Sequence, residues 1–278
     1  MNKVGVGSIG VFDSGVGGLS VLREIKKVLP TENFIYLADQ IHVPYGERSL
    51  EEVRKYSKAI IRFLLDQGAG LIVVACNTAS AAALHYLRKK YPEVPIVGME
   101  PAVKPAAEYS LTKKVGVLAT PATFQGKLYT SVVERFAQDV EIFQHTCPGL
   151  VYQIELGEVE SLPTRNILES ALKPMLAKGI DTIVLGCTHY PLVLSLIQEI
   201  VGKDVRVIDP APAIARRVVN LMTSSEYEQS RTDSNPVLCF STGDPTKFER
   251  SVSLFLQEEG MVNPVFWNLE KQYLTSKN

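Results

Sequence analysis

The stretch Leu71-Ile72-Val73-Val74-Ala75-Cys76-Asn77-Thr78 decides the fold. Its apolar residues run without a polar break, the pattern of a strand buried on both faces. Polar residues follow at once, and the Ala-rich segment 80–90 reads as a helix. Upstream, Ile9-Gly10-Val11-Phe12 predicts a strand, 19–29 a helix with apolar Leu19, Leu22, Ile25, Val28 and Leu29 near a 3.6 period, and 34–37 a second strand. Ser49-Leu50-Glu51-Glu52 is a capping box, with Val53, Tyr56, Ile60 and Phe63 along one helical face behind it. This βα alternation predicts parallel sheets covered by helices on both faces.

The pattern then repeats. Val115-Gly116-Val117-Leu118 echoes Ile9-Gly10-Val11-Phe12, and Ile183-Val184-Leu185-Gly186-Cys187-Thr188 echoes the first cysteine block 111 residues later. Each block leads to an acid followed by Pro-Ala: Glu100-Pro101-Ala102 and Asp209-Pro210-Ala211. The expected fold is two pseudo-symmetric three-layer α/β domains with mainly parallel sheets and a site in the cleft between them. The first domain spans 1–98 and 210–278, the second 99–209. The polar stretch 224–236 reads as a loop, 237–240 as a strand, and Asp244-Pro245 as the start of a last helix. Trp267 and Cys239 read as packing residues.

The 278 residues are 46% hydrophobic and 21% charged with a net charge of −1, which gives no electrostatic footprint for nucleic acid or a membrane surface. No apolar run approaches the ~20 residues of a spanning helix, and the N-terminus lacks a signal peptide's apolar core. The four cysteines, Cys76, Cys147, Cys187 and Cys239, form no CxxC pair, so a zinc or disulfide framework is not expected. The expected compartment is the reducing cytoplasm.

Gly5-Val6-Gly7-Ser8-Ile9-Gly10 fits GxGxxG literally but precedes its strand, and reads as a flexible tail. Phe12-Asp13-Ser14-Gly15-Val16-Gly17-Gly18 is placed at a strand's C-terminal end. It is either a tight turn or a loop whose amides approach an anion; Asp13 there suits an ammonium group or a neighbouring acid–base residue. Cys76 and Cys187 end equivalent strands near helix N-termini, which pushes a thiol toward thiolate. Asn77, Thr78 and Thr188 offer neutral hydrogen bonds to a carboxylate. His189 is either an acid–base partner or a satisfied polar residue; Cys187-x-His189 has no second ligand pair for a metal. His42, His85 and His145 read as surface or loop residues. Pro44-Tyr45-Gly46 is a turn able to present backbone N–H groups.

These motifs, in this order and spacing, resemble the glutamate racemases of the cofactor-independent Asp/Glu racemase superfamily. The matching segments are Phe12 to Gly18, Pro44-Tyr45-Gly46, Ala75 to Ala81 and Gly186 to Leu192; Gln40 stands where that family often has a small hydroxyl residue. The resemblance implies that Cys76 and Cys187 are two bases on opposite faces of Cα, with Asp13 helping Cys76 and His189 helping Cys187. It implies further that Glu155 is another acid of the site and that Thr120 contacts the amino-acid head group. Ser14, Pro44, Tyr45, Gly46, Asn77, Thr78 and Thr188 complete the implied binding set, with no cofactor. The implied substrate is L-/D-glutamate for peptidoglycan, the implied assembly a homodimer, with a cell-wall precursor as activator in some members. Aspartate racemisation and a non-catalytic binder of acidic metabolites are the rival readings. The second is disfavoured because binding needs no thiol on each face.

Overall fold

The computed structural model describes residues 7–224, 237–259, 261–268 and 272–276. The first stretch runs β1 (Ser8–Asp13), α1 (Gly18–Val28), β2 (Phe34–Ala38), α2 (Leu50–Asp66), β3 (Ala69–Val74), α3 (Asn77–Lys90) and β4 (Ile96–Gly98). There follow α4 (Val103–Tyr109), β5 (Lys114–Ala119), α5 (Pro121–Gln125), α6 (Lys127–Phe136), β6 (Glu141–His145), α7 (Leu150–Glu155), α8 (Leu162–Ala177), β7 (Thr182–Gly186), α9 (Leu194–Val201) and β8 (Arg206–Ile208). The chain ends with α10 (Ala211–Ser224), β9 (Leu238–Ser241), α11 (Pro245–Leu256), β10 (Val262–Pro264) and a hairpin of β11 (Phe266–Asn268) and β12 (Tyr273–Thr275).

Two sheets result. One has the order β10-β9-β2-β1-β3-β4 and the other β6-β5-β7-β8; their pairings are all parallel. The order β2-β1-β3-β4 recurs as β6-β5-β7-β8, so β1 corresponds to β5 and β3 to β7. This is the pseudo-symmetry read from the two cysteine blocks. The returning tail adds β9 and β10 to the first sheet beside β2.

The uninterrupted apolar runs have a plain cause. Leu71 and Val73 face one core while Ile72 and Val74 face another. Successive strand residues point to opposite faces, so a strand covered on both sides has no polar position to spare. The α2 and α3 helices cover one face of the first sheet, and α4 and α6 one face of the second. The remaining faces, with α1, α10 and α11 on one side and α8 and α9 on the other, share a continuous core across both halves. At roughly 1.5–3 kcal/mol for each large apolar side chain fully buried, that shared core is a major source of stability.

Local signals act as expected at helix starts. The Ser49 hydroxyl accepts from Glu52 N and the Glu52 carboxylate accepts from Ser49 N, closing the capping box of α2. The Asp244 carboxylate caps α11. One expectation changes. Ser8, Ile9 and Gly10 of the GxGxxG match lie inside β1; a Cβ on Gly7 would meet Gly70 N at 2.6 Å and one on Gly10 the Ala69 Cβ at 2.9 Å. These glycines let β1 lie close against β3. The beginning of that match, residues 5 and 6, is outside the described residues, as is the expected loop after Ser224, which itself closes α10.

Candidate active site

The strands bring the chemistry together. Asp13 ends β1, Cys76 follows β3, Thr120 follows β5 and Cys187 follows β7: all leave the C-terminal edges of central parallel strands, where α/β sheets place ligands. One cleft is lined by Ser14, Pro44, Tyr45, Gly46, Cys76, Asn77, Thr78, Thr120, Val151, Cys187, Thr188 and His189. Of the catalytic and binding residues expected from the sequence, only Asp13 and Glu155 are not part of this lining. Val151 was not foreseen, and as an ordinary apolar residue on α7 it carried no signal.

The two thiols share the cleft but not their surroundings. Cys76 is the N-cap of α3, its sulfur accepting from Ala79 N at 3.4 Å. Burial pushes its thiol well up, and the Asp13 carboxylate beside it adds to the rise. This corrects the expected drift toward thiolate: one helix N-terminus does not outweigh complete desolvation. Burial also raises Asp13, although His189 and the Cys76 thiol pull it back. Asp13 Oδ2 accepts from Gly18 N at 2.7 Å and Thr188 Oγ1 at 3.3 Å.

Cys187 starts no α-helix. A 3₁₀ turn, Tyr190–Val193 with Pro191 in its first turn, separates it from α9. Its neighbour is instead His189, with Sγ and Nδ1 3.8 Å apart. His189 Nε2 lies 2.6 Å from Glu155 Oε1, completing a Glu155–His189–Cys187 chain. Burial alone would lower His189, but Cys187 and Glu155 outweigh it and hold the imidazole well above its ordinary range. Burial would raise Glu155, yet His189, Val16 N and Gln40 together hold it low. The charged pair is thus favoured at neutral pH.

The glycine loop has an unexpected role. Val16 N donates to Glu155 Oε1 at 2.8 Å, so the anion that its amide meets is the protein's own carboxylate. A Cβ on Gly15 would sit 1.9 Å from Glu155 Oε1, and one on Gly17 2.4 Å from His189 Nδ1. Across the cleft, Thr78 Oγ1 pairs with Thr120 Oγ1 at 2.8 Å, and Ser20 Oγ donates to the Thr188 carbonyl at 2.9 Å. The Asn77 amide is buried in the lining, and neither its nitrogen nor its oxygen has a hydrogen-bond partner. Left without a partner such a group costs about 1–3 kcal/mol.

The Pro44-Tyr45-Gly46 turn is held from behind by a buried carboxyl absent from the expected set. Asp39 Oδ1 accepts from Trp267 Nε1 at 2.8 Å and Thr242 Oγ1 at 2.9 Å, while Oδ2 takes the Tyr45 hydroxyl and faces His42 Nδ1 at 2.9 Å. His42 also stacks on Tyr56 with ring centroids 4.0 Å apart; it lies, half-buried, in the connection between β2 and α2. Trp267 does more than pack. Trp267→Phe is expected to cost about 1–3 kcal/mol by stranding one Asp39 lone pair, read as a lowered denaturation midpoint with unchanged slope. An unchanged midpoint would mean that the indole bond is not made in solution.

The other cysteines are fillers: burial pushes Cys147 and Cys239 up to about 12. Among the described residues no cluster of three or more His, Cys, Asp or Glu could hold a metal ion, and no helix is long and apolar enough to cross a membrane.

Residues 9–218 match the model of the Asp/Glu/Hydantoin racemase family. A glutamate racemase of Roseiflexus sp. (strain RS-1) is 49% identical over 241 residues, which is 86% of this chain and 89% of that one. Escherichia coli glutamate racemase, solved with L-glutamate and the activator UDP-MurNAc-Ala, superposes with a TM-score of 0.82 at 31% identity, covering 92% of this chain and 96% of that one. The Francisella tularensis enzyme, solved with D-glutamate, gives 0.81 at 30% identity over 92% and 96%. With a family match over most of its length and relatives this near across nearly all of it, the chain belongs to the Asp/Glu/Hydantoin racemase family, among its glutamate racemases.

Proposed function

We propose that this chain interconverts L- and D-glutamate by proton transfer between two thiols, and that the D-enantiomer serves peptidoglycan synthesis. The observation that carries the mechanism is the equivalence of Cys76 and Cys187: matching strand ends, one cleft, and an unpartnered Asn77 amide in the lining. Inversion at Cα removes a proton from one face and returns one to the other. One rigid base reaches only one face, so a duplicated fold with a thiol from each half suits the task. In one direction Cys76 as thiolate takes the Cα proton, the electron pair spreads into the α-carboxylate, and the Cys187 thiol protonates the far face. The other direction exchanges these roles.

In this reading Asp13 serves Cys76, and the Glu155–His189 pair serves Cys187. Ser14, Asn77, Thr78, Thr120 and Thr188 hold the head group, and the Tyr45 and Gly46 amides take the side-chain carboxylate. Acid–base positioning supplies about 10²–10⁴ per group; fixed dipoles aimed at the developing charge supply more. The functional units are taken as 1–98 with 210–278, and 99–209.

The test is to incubate the protein separately with L-glutamate, L-aspartate and L-glutamine in D₂O. Optical rotation should decay for glutamate, and the product should carry deuterium at Cα, because the donor thiol exchanges with solvent before substrate arrives. Decay with aspartate instead would move the substrate assignment. Product that keeps its original hydrogen throughout would end the two-thiol mechanism.

A further inference from the structure

We propose that Gln40 is a positioning residue for the Cys187 side of the site: reaching from the segment after β2, it fixes the Glu155 carboxylate against His189. The inference rests on the racemase reading above and names how one half of that site is held.

Gln40 lies just beyond β2, in the short turn Gln40–His42, and does not line the cleft. Its amide is gripped at both ends. Nε2 donates to Glu155 Oε2 at 3.2 Å, and Oε1 accepts from Ser241 Oγ at 2.8 Å. Ser241 Oγ itself accepts from Gly243 N at 3.0 Å, which leaves its proton for Gln40. An ionised carboxylate only accepts, so the amide's NH₂ end belongs at Glu155. Both ends of the bridge therefore agree on one orientation. A Cβ on Gly243 would meet Gln40 Cβ at 2.8 Å, so the tail provides room for this side chain as well as its hydrogen bond.

The two Glu155 oxygens divide their work. Oε1 takes Val16 N and His189 Nε2; Oε2 takes Gln40. A carboxylate held at one oxygen can swing about its terminal bond. Held at both, it is fixed in plane and keeps the imidazole aimed at Cys187. The groups facing His189 are Glu155, Cys187 and Asp13. Glu155 faces His189, Asp13 and the Tyr36 phenol, and shares an outer hollow with Lys247 and Arg250 of α11. Gln40 adds a neutral donor to this set, favouring ionised Glu155 and through it protonated His189.

The test compares wild-type protein with Gln40→Met, which keeps the side chain's length but cannot donate. The first readout is the ¹⁵N-histidine titration of the ligand-free protein, which has four histidines to assign. The His189 midpoint should fall by about one pH unit. The alkaline limb of the kcat profile should fall with it, and kcat above that limb should drop roughly tenfold, the worth of one hydrogen bond to a charged group. KM should stay within about twofold. Ser241→Ala, which leaves Gln40 in place but unoriented, should shift the midpoint the same way by less, and serves also if Gln40→Met does not fold. An unchanged His189 titration in a folded variant, or a change confined to KM, would overturn the proposal. A wild-type protein inert toward glutamate would instead overturn the racemase reading, with the titration shift still deciding the role of Gln40.

Discussion

Serine in place of Cys76 or of Cys187 should abolish racemisation, with turnover at least about a thousandfold down, because in the proposed two-thiol mechanism each turnover needs a base and an acid on opposite faces. The fold survives, since replacing sulfur by oxygen removes little volume. Enantiomers have equal free energies in water, so kcat/KM must fall equally in both directions, and steady-state racemisation cannot tell the thiols apart. Half-reactions can. Each variant keeps one working thiol, and that thiol still reaches one face of Cα. In D₂O the variant should wash out the Cα proton of one enantiomer without inverting it, or eliminate a β-leaving group from one enantiomer of a substrate analogue. Cys76→Ser and Cys187→Ser should act on opposite enantiomers. Should both act on the same one, the thiols do not flank Cα. The surviving activities should also differ in pH dependence. Cys76 is a thiol raised by burial and by Asp13, whereas Cys187 has the charged Glu155–His189 pair behind it.

Much of this arrangement was readable along the chain because it is written in local periodicity. The unbroken run 71–74 and its echo at 183–185 announce buried strands, and a residue immediately after such a strand must emerge at the sheet's C-terminal edge. That places Cys76 and Cys187 without any knowledge of tertiary contacts. The capping box at Ser49 and the cap at Asp244 are local in the same sense. What escaped is what depends on distant partners. Trp267 reaches Asp39 across 228 positions, and Val16 reaches Glu155 across 139; no periodicity encodes either meeting. The direction of the Cys76 shift escaped for another reason. The helix N-terminus is visible in the sequence, but the completeness of burial that overrides it is a property of the closed cleft. For the glycine loop the position was legible, but its distant anion, Glu155, was not.

That loop carries the second large effect. Gly17→Ala should lower kcat at least about a hundredfold, although nothing in the backbone dihedrals of Gly17 forbids a side chain. Gly17 is the N-cap of α1 with φ −57° and ψ −39°, an ordinary right-handed helical conformation open to any residue. Space is what forbids alanine. The added methyl would lie 2.4 Å from His189 Nδ1, 2.7 Å from Cε1 and 2.8 Å from Cγ, against the edge that faces Cys187. The ring cannot simply retreat, because Nε2 is bonded to Glu155 at 2.6 Å and that carboxylate is held in turn by Val16 N and Gln40. Relief requires the imidazole to leave Cys187 by about an ångström, a displacement able to cost 10²-fold when catalytic groups are involved. Overpacking costs roughly 1–3 kcal/mol, a fraction of the roughly 5–15 kcal/mol that holds a typical domain folded, so the variant should remain folded while losing turnover. A double-mutant cycle with His189→Ala identifies the route. If Gly17→Ala acts through the imidazole, adding it to His189→Ala should change kcat little further, a strongly non-additive result. Additive losses would mean that the methyl disturbs something else in the cleft, and full activity in Gly17→Ala alone would mean that His189 is not pinned against this loop.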